Sequence, residues 1–377
     1  MLEYLPDNPY LLLTPGPLST TKRVKAAMLR DWCTWDADYN QLVQQVRERL
    51  ARLATSDPGY TTVLVQGSGT FAVEAAVGSL LPPDGRLLVL ANGAYGQRMA
   101  EIARRLRIPV AVQDSGEVAP PDLERLEKAL ADDPGITHVG VVHCETTTGI
   151  LNAVGRIGAI VKGFGRTYLV DAMSSFAGIP FDAAALGADV LVSSANKCLQ
   201  GVPGVAFVIA RTALLAGAAG WARSLSLDLY DQWQEMEAKG GKWRFTSPTH
   251  VVRALAEALD ELEAEGGVLA RHARYRDNHR TLVEGMRGLG FASLLPDAWQ
   301  SPIITSFLAP SDPGYDFARF YQALKAAGYV IYPGKVTNAE TFRVGCIGDI
   351  RPEQILGLLD AVGAAMVWRT PPATARL

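Results

Sequence analysis

The sequence predicts an α/β fold in which a mainly parallel β-sheet is flanked by helices, followed by a smaller α+β domain. Through the middle of the chain, short apolar runs alternate with amphipathic segments, a pattern typical of a parallel sheet covered on both faces. This alternation ends near residue 252. The length of 377 residues also exceeds that of most single domains.

The strands of the large sheet are predicted from nearly continuous apolar runs. They cover 61–65, 87–90, 110–113, 138–143, 167–170, 190–193 and 205–209. Helices are predicted over 70–81, 96–106 and 121–131, and the last has leucines at i, i+3 and i+7. The intervening helices give each strand the crossover that a parallel neighbour requires.

Longer helical segments dominate the remainder of the chain. Helices are predicted over 252–265, 271–289, 317–327 and 352–367, with extended segments at 303–308, 330–332 and 341–344. We therefore divide the chain into an N-terminal segment (1–18), a large domain (19–255) and a small C-terminal α+β domain (256–377). The proline-containing end, 371–377, is predicted to be a frayed tail.

Composition excludes several classes of protein. Hydrophobic residues make up 48% and charged residues 20%, so global disorder is excluded, and a net charge of −3 gives no overall electrostatic signature for nucleic acid or anionic membranes. No apolar run approaches the roughly 20 residues of a membrane helix. The four cysteines are widely spaced and the five histidines are scattered, which argues against a disulfide framework or a metal site. We expect a cytoplasmic protein.

The first motif that could carry chemistry is Gly67-Ser68-Gly69-Thr70, between a predicted strand and a predicted helix. Glycine allows close backbone approach, and a helix N-terminus offers free N–H groups to an anion, so the motif favours phosphate binding. It also fits a loose dinucleotide fingerprint, which would suit an oxidoreductase. That fingerprint requires an acidic residue at the end of the next strand, where this chain has Asn92.

Asp171 and Lys197 each follow a buried strand, at the edge where parallel sheets bind ligands. Taken singly, the aspartate could be a helix N-cap and the lysine a surface side chain. Taken together with the glycine loop, they indicate pyridoxal 5′-phosphate chemistry, which needs a lysine amine, an aspartate for the ring nitrogen and a phosphate cradle. Tyr95 and the run Thr146-Thr147-Thr148 also follow strands, at positions suited to ring stacking and to bonding a ring oxygen, or simply to turns.

With these motifs, the chain resembles the class V aminotransferase branch of the fold type I pyridoxal-phosphate enzymes over nearly its whole length. Within that branch it is similar to enzymes acting on 2-aminoethylphosphonate. The matching segments are 11–17, 33–36, 66–69, 92–96, 145–149, 171–175, 193–197, 242–250 and 331–335. The resemblance implies that residues 1–18 pack near the active site and that the large domain binds the cofactor.

The resemblance implies a role for each cofactor residue. Lys197 is the Schiff-base lysine and proton shuttle, and Asp171 keeps the ring nitrogen protonated. Tyr95 stacks on the ring, and Thr146 bonds its hydroxyl. The phosphate cup contains Ser68, Gly69, Thr70 and Asn196, joined by Trp243 and Thr246 of the neighbouring subunit, so a homodimer with shared active sites is implied.

The resemblance also implies the substrates. Gly16, in Thr14-Pro15-Gly16-Pro17, lines the substrate entrance, and Arg343 binds the acidic group of the substrate, although a surface ion pair would also suit this arginine. The implied reaction is transamination of 2-aminoethylphosphonate with pyruvate, giving phosphonoacetaldehyde and L-alanine. A serine or alanine–glyoxylate transaminase and a phosphonate ammonia-lyase on the same fold are the alternatives.

Overall fold

The computed structural model describes residues 2–368; the predicted tail at 371–377 lies outside them. The strands are β1 (Leu11–Leu12), β2 (Tyr60–Gly67), β3 (Leu87–Ala91), β4 (Val110–Asp114), β5 (His138–Val142), β6 (Cys144–Glu145), β7 (Ile150–Leu151), β8 (Thr167–Asp171), β9 (Val190–Ser194), β10 (Gly204–Arg211), β11 (Ile304–Leu308), β12 (Tyr329–Val330), β13 (Tyr332–Pro333) and β14 (Thr341–Gly345). The α-helices are α1 (Lys22–Ala26), α2 (Ala37–Ala54), α3 (Gly69–Leu80), α4 (Ala94–Arg105), α5 (Leu123–Asp132), α6 (Val154–Gly163), α7 (Thr212–Gly217), α8 (Leu229–Ala238), α9 (Thr249–Glu265), α10 (Gly267–Gly288), α11 (Phe317–Ala326) and α12 (Pro352–Ala365).

The predicted large sheet is confirmed. Seven strands lie in the order β2-β10-β9-β8-β5-β3-β4. The strands from β9 to β4 are parallel, whereas β10 runs antiparallel to both β9 and β2. The carboxyl ends of β3, β5, β8 and β9 therefore meet at one edge of the sheet.

Alternate side chains of each strand enter separate cores on the two faces of the sheet. Along β3, Leu88 and Leu90 pack with helices α2, α5, α6 and α9, while Leu87 and Val89 pack with α3, α4 and α8. Burial of each such side chain stabilises the fold by about 1.5–3 kcal/mol relative to exposure. Because both faces are covered, the strands read as continuous apolar runs in the sequence.

The C-terminal part has its own small antiparallel sheet, in the order β11-β14-β13. Phe291, Phe307, Phe320 and Phe342 form an aromatic cluster between this sheet and its helices. The predicted continuous strand 330–332 is wrong. It divides at the buried Ile331, because β12 pairs in parallel with β1 at the N-terminus and β13 pairs with β14.

Helices α1, α2, α6, α7 and α8 were not anticipated by the sequence analysis. The longest, α2, packs against β2 and α9. The predicted domain boundary between residues 255 and 256 falls inside α9, whose Leu255, Leu259 and Leu262 are buried in the large core. The division of the chain at that point remains a prediction.

Two further features of residues 2–368 concern membrane insertion and metal binding. None of the helices there is both long and apolar enough to cross a membrane. The same residues contain no group of three or more His, Cys, Asp or Glu side chains placed to hold a metal ion.

Candidate active site

The carboxyl edge of the large sheet carries a cavity of about 180 Å³. Of the residues predicted for the site, seven line it together: Ser68, Gly69, Thr70, Tyr95, Asp171, Asn196 and Lys197. They reach it from the loop after β2, the start of α4, the end of β8 and the turn after β9. Parallel strand direction explains the meeting, since it brings distant strand ends to one edge.

Lys197 is held against the N-terminal segment. Its Nζ donates hydrogen bonds to the carbonyl oxygens of Pro15 at 2.8 Å and Gly16 at 3.4 Å. Burial lowers the pKa of this amine, which favours the neutral, nucleophilic form. Gly16 has a φ of 108°, and a Cβ there would lie 2.6 Å from Lys197 Cδ, so only glycine fits this approach.

Asp171 is a buried carboxylate with a single hydrogen bond, from the Met173 backbone N–H at 2.8 Å. It forms no ion pair among residues 2–368. Burial raises its pKa to about 6, and the nearby Glu145 adds to this effect. A carboxylate in this condition is suited to a cationic partner such as a protonated ring nitrogen.

Glu145 is a fully buried carboxylate with no role predicted from the sequence. Its Oε2 accepts hydrogen bonds from the backbone N–H groups of Tyr95 and Gly96 at 3.1 and 3.4 Å, at the N-terminus of α4. Its Oε1 accepts the Thr147 backbone N–H and hydroxyl at 3.0 and 2.7 Å. Glu145 therefore fixes Tyr95 at the rim of the cavity.

Tyr95 lies among cations. Lys335 Nζ is 4.4 Å and Arg98 Cζ is 4.9 Å from the centroid of its ring. Burial acts to raise the pKa of the phenol, but the positive charges of Lys197 and Lys335 oppose it, and the pKa is lowered overall. Sequence reasoning missed Arg98, which lines the cavity and donates to Thr70 Oγ1 at 3.2 Å.

The residues present fit pyridoxal phosphate. The hydroxyl oxygens of Thr146 and Thr148 are buried without a hydrogen-bond partner among the described residues, so a ring oxygen would satisfy Thr146. The N-terminus of α3 begins at Gly69, and Ser68 before it makes no side-chain capping bond there, which leaves donors for a phosphate. A Cβ at Gly69 would meet the flexible end of the Met173 side chain, which would have to move to admit a larger residue.

Arg343 lies on β14 of the small domain with only 6% of its surface exposed. Its Nε donates to the Pro333 carbonyl at 3.0 Å and its Nη1 to the Thr146 carbonyl at 2.8 Å. Burial lowers the pKa of the guanidinium, and none of the described carboxylates pairs with it. The alternative of a surface ion pair is thus excluded within residues 2–368, and the guanidinium is oriented for an anion that the protein does not itself provide.

Trp243 and Thr246 are not brought into the Lys197 cavity of this chain. They line a second cavity of about 560 Å³, together with Gln66, Gly67 and Phe71. Trp243 is buried, and its Nε1 has no partner among the described residues, whereas Thr246 is exposed. Their assignment to the cofactor stays a prediction.

Comparison with known proteins places this geometry in a family. The family profile described as aminotransferase class-V matches residues 19–334. The 2-aminoethylphosphonate–pyruvate transaminase of Syntrophobacter fumaroxidans is 64% identical over 96% of this chain and 97% of its own, and that of Vibrio vulnificus is 57% identical over 96% and 99%. The crystal structure of pyridoxamine–pyruvate aminotransferase from Mesorhizobium loti matches with a TM-score of 0.87 and 27% identity, over 96% of this chain and 92% of that one.

Proposed function

The chain belongs to the class V aminotransferases, and on that premise we propose that it transfers the amino group of 2-aminoethylphosphonate to pyruvate, giving phosphonoacetaldehyde and L-alanine. Relatives at 57–64% identity over nearly the whole chain carry this substrate pair in their names. The structural observation that carries the proposal is the buried guanidinium of Arg343. It pairs with none of the described carboxylates and donates to the carbonyl of Thr146, whose own hydroxyl lacks a partner among those residues.

When bound, pyridoxal phosphate supplies a carbonyl carbon that takes up amines and a ring that withdraws electrons. The Asp171 carboxylate would accept a hydrogen bond from the ring nitrogen and stabilise its positive charge. The Thr146 hydroxyl would donate to the ring oxygen, and Tyr95 would stack on the ring. The phosphate would be bound by Ser68, Gly69, Thr70 and Asn196.

Lys197 would move the proton. Its amine has a lowered pKa, so it can take a proton from the amine-bearing carbon of the donor and later deliver one to the carbon of the acceptor. The carbonyls of Pro15 and Gly16 would hold the Lys197 amine when it contacts neither cofactor nor substrate, since Nζ donates to both.

Arg343 would bind both substrates in turn. Two of its nitrogens are fixed to backbone carbonyls, so the guanidinium keeps one orientation for the phosphonate of the donor and the carboxylate of pyruvate. Gly16 would line the entrance, where a side chain would obstruct Lys197.

The substrate assignment is tested by single-turnover absorbance of the holoenzyme with 2-aminoethylphosphonate, L-alanine and L-serine separately. We expect the phosphonate and alanine to convert the cofactor to its amine form, and serine to do so much more slowly. If serine reacts as fast as the phosphonate at equal concentration, the substrate assignment is wrong, but the assignment of the protein as a transaminase is unaffected. Release of ammonia from the phosphonate without pyruvate would instead indicate a lyase.

We further propose a homodimer in which Trp243 and Thr246 of one subunit reach the cofactor phosphate of the other. Support comes from the separate cavity that they line, which does not include Lys197, and from Phe71 and Phe245 in the same cavity, which are 51% and 52% exposed. Large exposed aromatic side chains next to each other are typical of interfaces.

Mixed dimers test shared sites directly. A Lys197→Ala subunit paired with a Trp243→Ala subunit would contain one site with both changes and one with neither, so mixing two weakly active proteins should restore activity. Mixing Lys197→Ala with itself is the control. A fully active monomer in sedimentation at assay concentration, or no gain on mixing, would contradict the proposal.

We place the reaction in the cytoplasm. The support is that Cys33, Cys144, Cys198 and Cys346 are all free thiols, which a reducing compartment preserves. Fractionation of cells that express the protein from its own gene would test this.

A further inference from the structure

The loop 334–340, which joins β13 to β14, reaches from the small domain to the large one. Its Thr337 donates two hydrogen bonds to the Glu117 carboxylate, from the backbone N–H at 2.8 Å and from the hydroxyl at 3.0 Å. This contact ties the loop to Glu117, and two residues earlier Lys335 lies over the ring of Tyr95, with Nζ 4.4 Å from the ring centroid. Tyr95 in turn lines the Lys197 cavity. Lys335 has had no role so far in the reaction.

Lys335 is a partly buried ammonium without an acidic partner in the part of the chain that the structure describes. The Tyr95 phenol responds to its charge together with that of Lys197, and the Arg343 guanidinium responds to Tyr95. Lys335 and Arg98 lie over the Tyr95 ring, and the charges of Lys197 and Lys335 act on its phenol against the opposite charge of Glu145. A multiply charged anion would neutralise these positive charges better than a singly charged one.

The two substrates differ in charge. A phosphonate near neutral pH carries up to two negative charges on three oxygens, by analogy with a phosphate monoester, whereas a carboxylate carries one. The fork of Arg343 can match two oxygens of either group, which leaves a third oxygen and additional charge on the phosphonate alone. An ammonium is a compact point charge that suits this remaining oxygen.

On the basis of the proposed function, we propose that Lys335 binds the phosphonate of the donor and thereby sets the preference for a phosphonate over a carboxylate. Arg343 then serves both substrates, and Lys335 distinguishes them. The contact between Thr337 and Glu117 positions Lys335 by fixing its loop to the large domain.

The test uses the holoenzyme and two unreactive probes, ethylphosphonate and propionate, which are the donor and alanine without their amino groups. Isothermal titration calorimetry compares the wild type with Lys335→Gln and Lys335→Arg. We expect Lys335→Gln to weaken ethylphosphonate binding about ten- to a hundredfold, the loss typical of a hydrogen bond to a charged group. Propionate binding should change less than about twofold, and Lys335→Arg should retain most of the phosphonate affinity.

Lys325→Gln is a matched control, because Lys325 also lies over a tyrosine, Tyr10, with Nζ 5.7 Å from the ring centroid. We expect it to change neither affinity. Equal losses for both probes in Lys335→Gln, no loss for either, or loss of the cofactor absorbance would overturn the inference. Failure of the proposed function is separate, since it appears in the wild type as failure to release phosphonoacetaldehyde from 2-aminoethylphosphonate.

Discussion

Two sets of residues at the candidate active site, which we call the cofactor wall and the substrate wall after their proposed roles, satisfy their polar groups differently. The cofactor wall consists of Asp171, Thr146 and Lys197. Its Asp171 carboxylate receives a single N–H, and its Thr146 hydroxyl has no hydrogen-bond partner among the described residues. The substrate wall consists of Arg343 on β14 and Lys335 in the loop before it, both outside the lining of the Lys197 cavity itself. There the guanidinium is tied to two backbone carbonyls.

This difference indicates which wall depends on its ligand. An unsatisfied buried polar group costs about 1–3 kcal/mol, so the cofactor wall is stabilised when a ring and a phosphate complete its hydrogen bonds. The substrate wall is oriented by the backbone and does not need a ligand to keep its geometry. Thr146 belongs to both walls, since its hydroxyl is left for the ring oxygen of the cofactor while its carbonyl accepts a hydrogen bond from Arg343.

The largest expected effect is that of Lys197→Ala, which removes the amine of the cofactor wall. We expect turnover to fall by at least about 10³-fold, within the range attributed to acid–base catalysis, because no other amine takes the proton. The cofactor should still bind, but without a covalent link, which absorbance after gel filtration would show. Lys239→Ala, at an exposed lysine, is the control. Borohydride labelling of a wild-type peptide that lacks Lys197 would contradict the assignment.

Asp171→Asn removes the charge of the cofactor wall while keeping its shape. An amide cannot stabilise a positive ring nitrogen, so we expect both half-reactions to slow by about 10²- to 10³-fold in a folded protein. Stopped-flow absorbance measures each half-reaction. Asp114→Asn is a matched control, since Asp114 ends β4 as Asp171 ends β8 but is exposed. Near wild-type rates in Asp171→Asn would refute its role.

On the substrate wall, Arg343→Lys keeps the charge and loses the planar fork. We expect the donor half-reaction to weaken about 10- to 100-fold in kcat/KM and the pyruvate half-reaction to weaken as well. Because the cofactor wall is separate, both Arg343→Lys and Arg343→Ala should keep the absorbance of the bound cofactor. If that absorbance is lost on purification, Arg343 belongs to the cofactor wall and the distinction between the walls is wrong.

The smallest effect concerns the stability of the cofactor-free protein. The pKa of Asp171 is about 6 in the folded chain, above its ordinary value of 3.8. Between these two pH values the folded state binds more protons than the unfolded state, so the stability of the folded protein falls as pH rises from about 4 to 6. Above pH 6, cofactor-free Asp171→Asn should therefore be more stable than wild type, by up to about 3 kcal/mol, and the gain should shrink as pH falls toward 4.

Denaturant unfolding of the two cofactor-free proteins at pH 5 and pH 8 measures this gain. The amide oxygen that Asp171→Asn introduces would still accept the Met173 N–H, so the hydrogen bond is preserved in the comparison. A variant less stable than wild type at pH 8 would show that the Asp171 carboxylate does not destabilise the cofactor-free protein.

The sequence predicted much of the cofactor wall because its signals are local. Asp171 and Lys197 each follow a short apolar run, and the direction of parallel strands sends such residues to one edge. The missed helix α2 also carries a local signal, with Val43, Val46 and Leu50 buried at helical spacing. The roles of Glu145, Arg98 and Lys335 had no such signal, since each depends on a contact with Tyr95 or with Thr70 from another element.

Residue type and spacing along the chain were enough to predict the alternation of strands and helices, the strand ends that carry Asp171 and Lys197, and the glycines that allow close approach. Contacts between distant segments account for three further features: 330–332 divides between two sheets, Gly16 lies against Lys197, and Arg343 pairs with none of the described carboxylates. Those outcomes depend on which distant segments meet when both domains bury their apolar faces, and a pattern read along one segment does not contain that information.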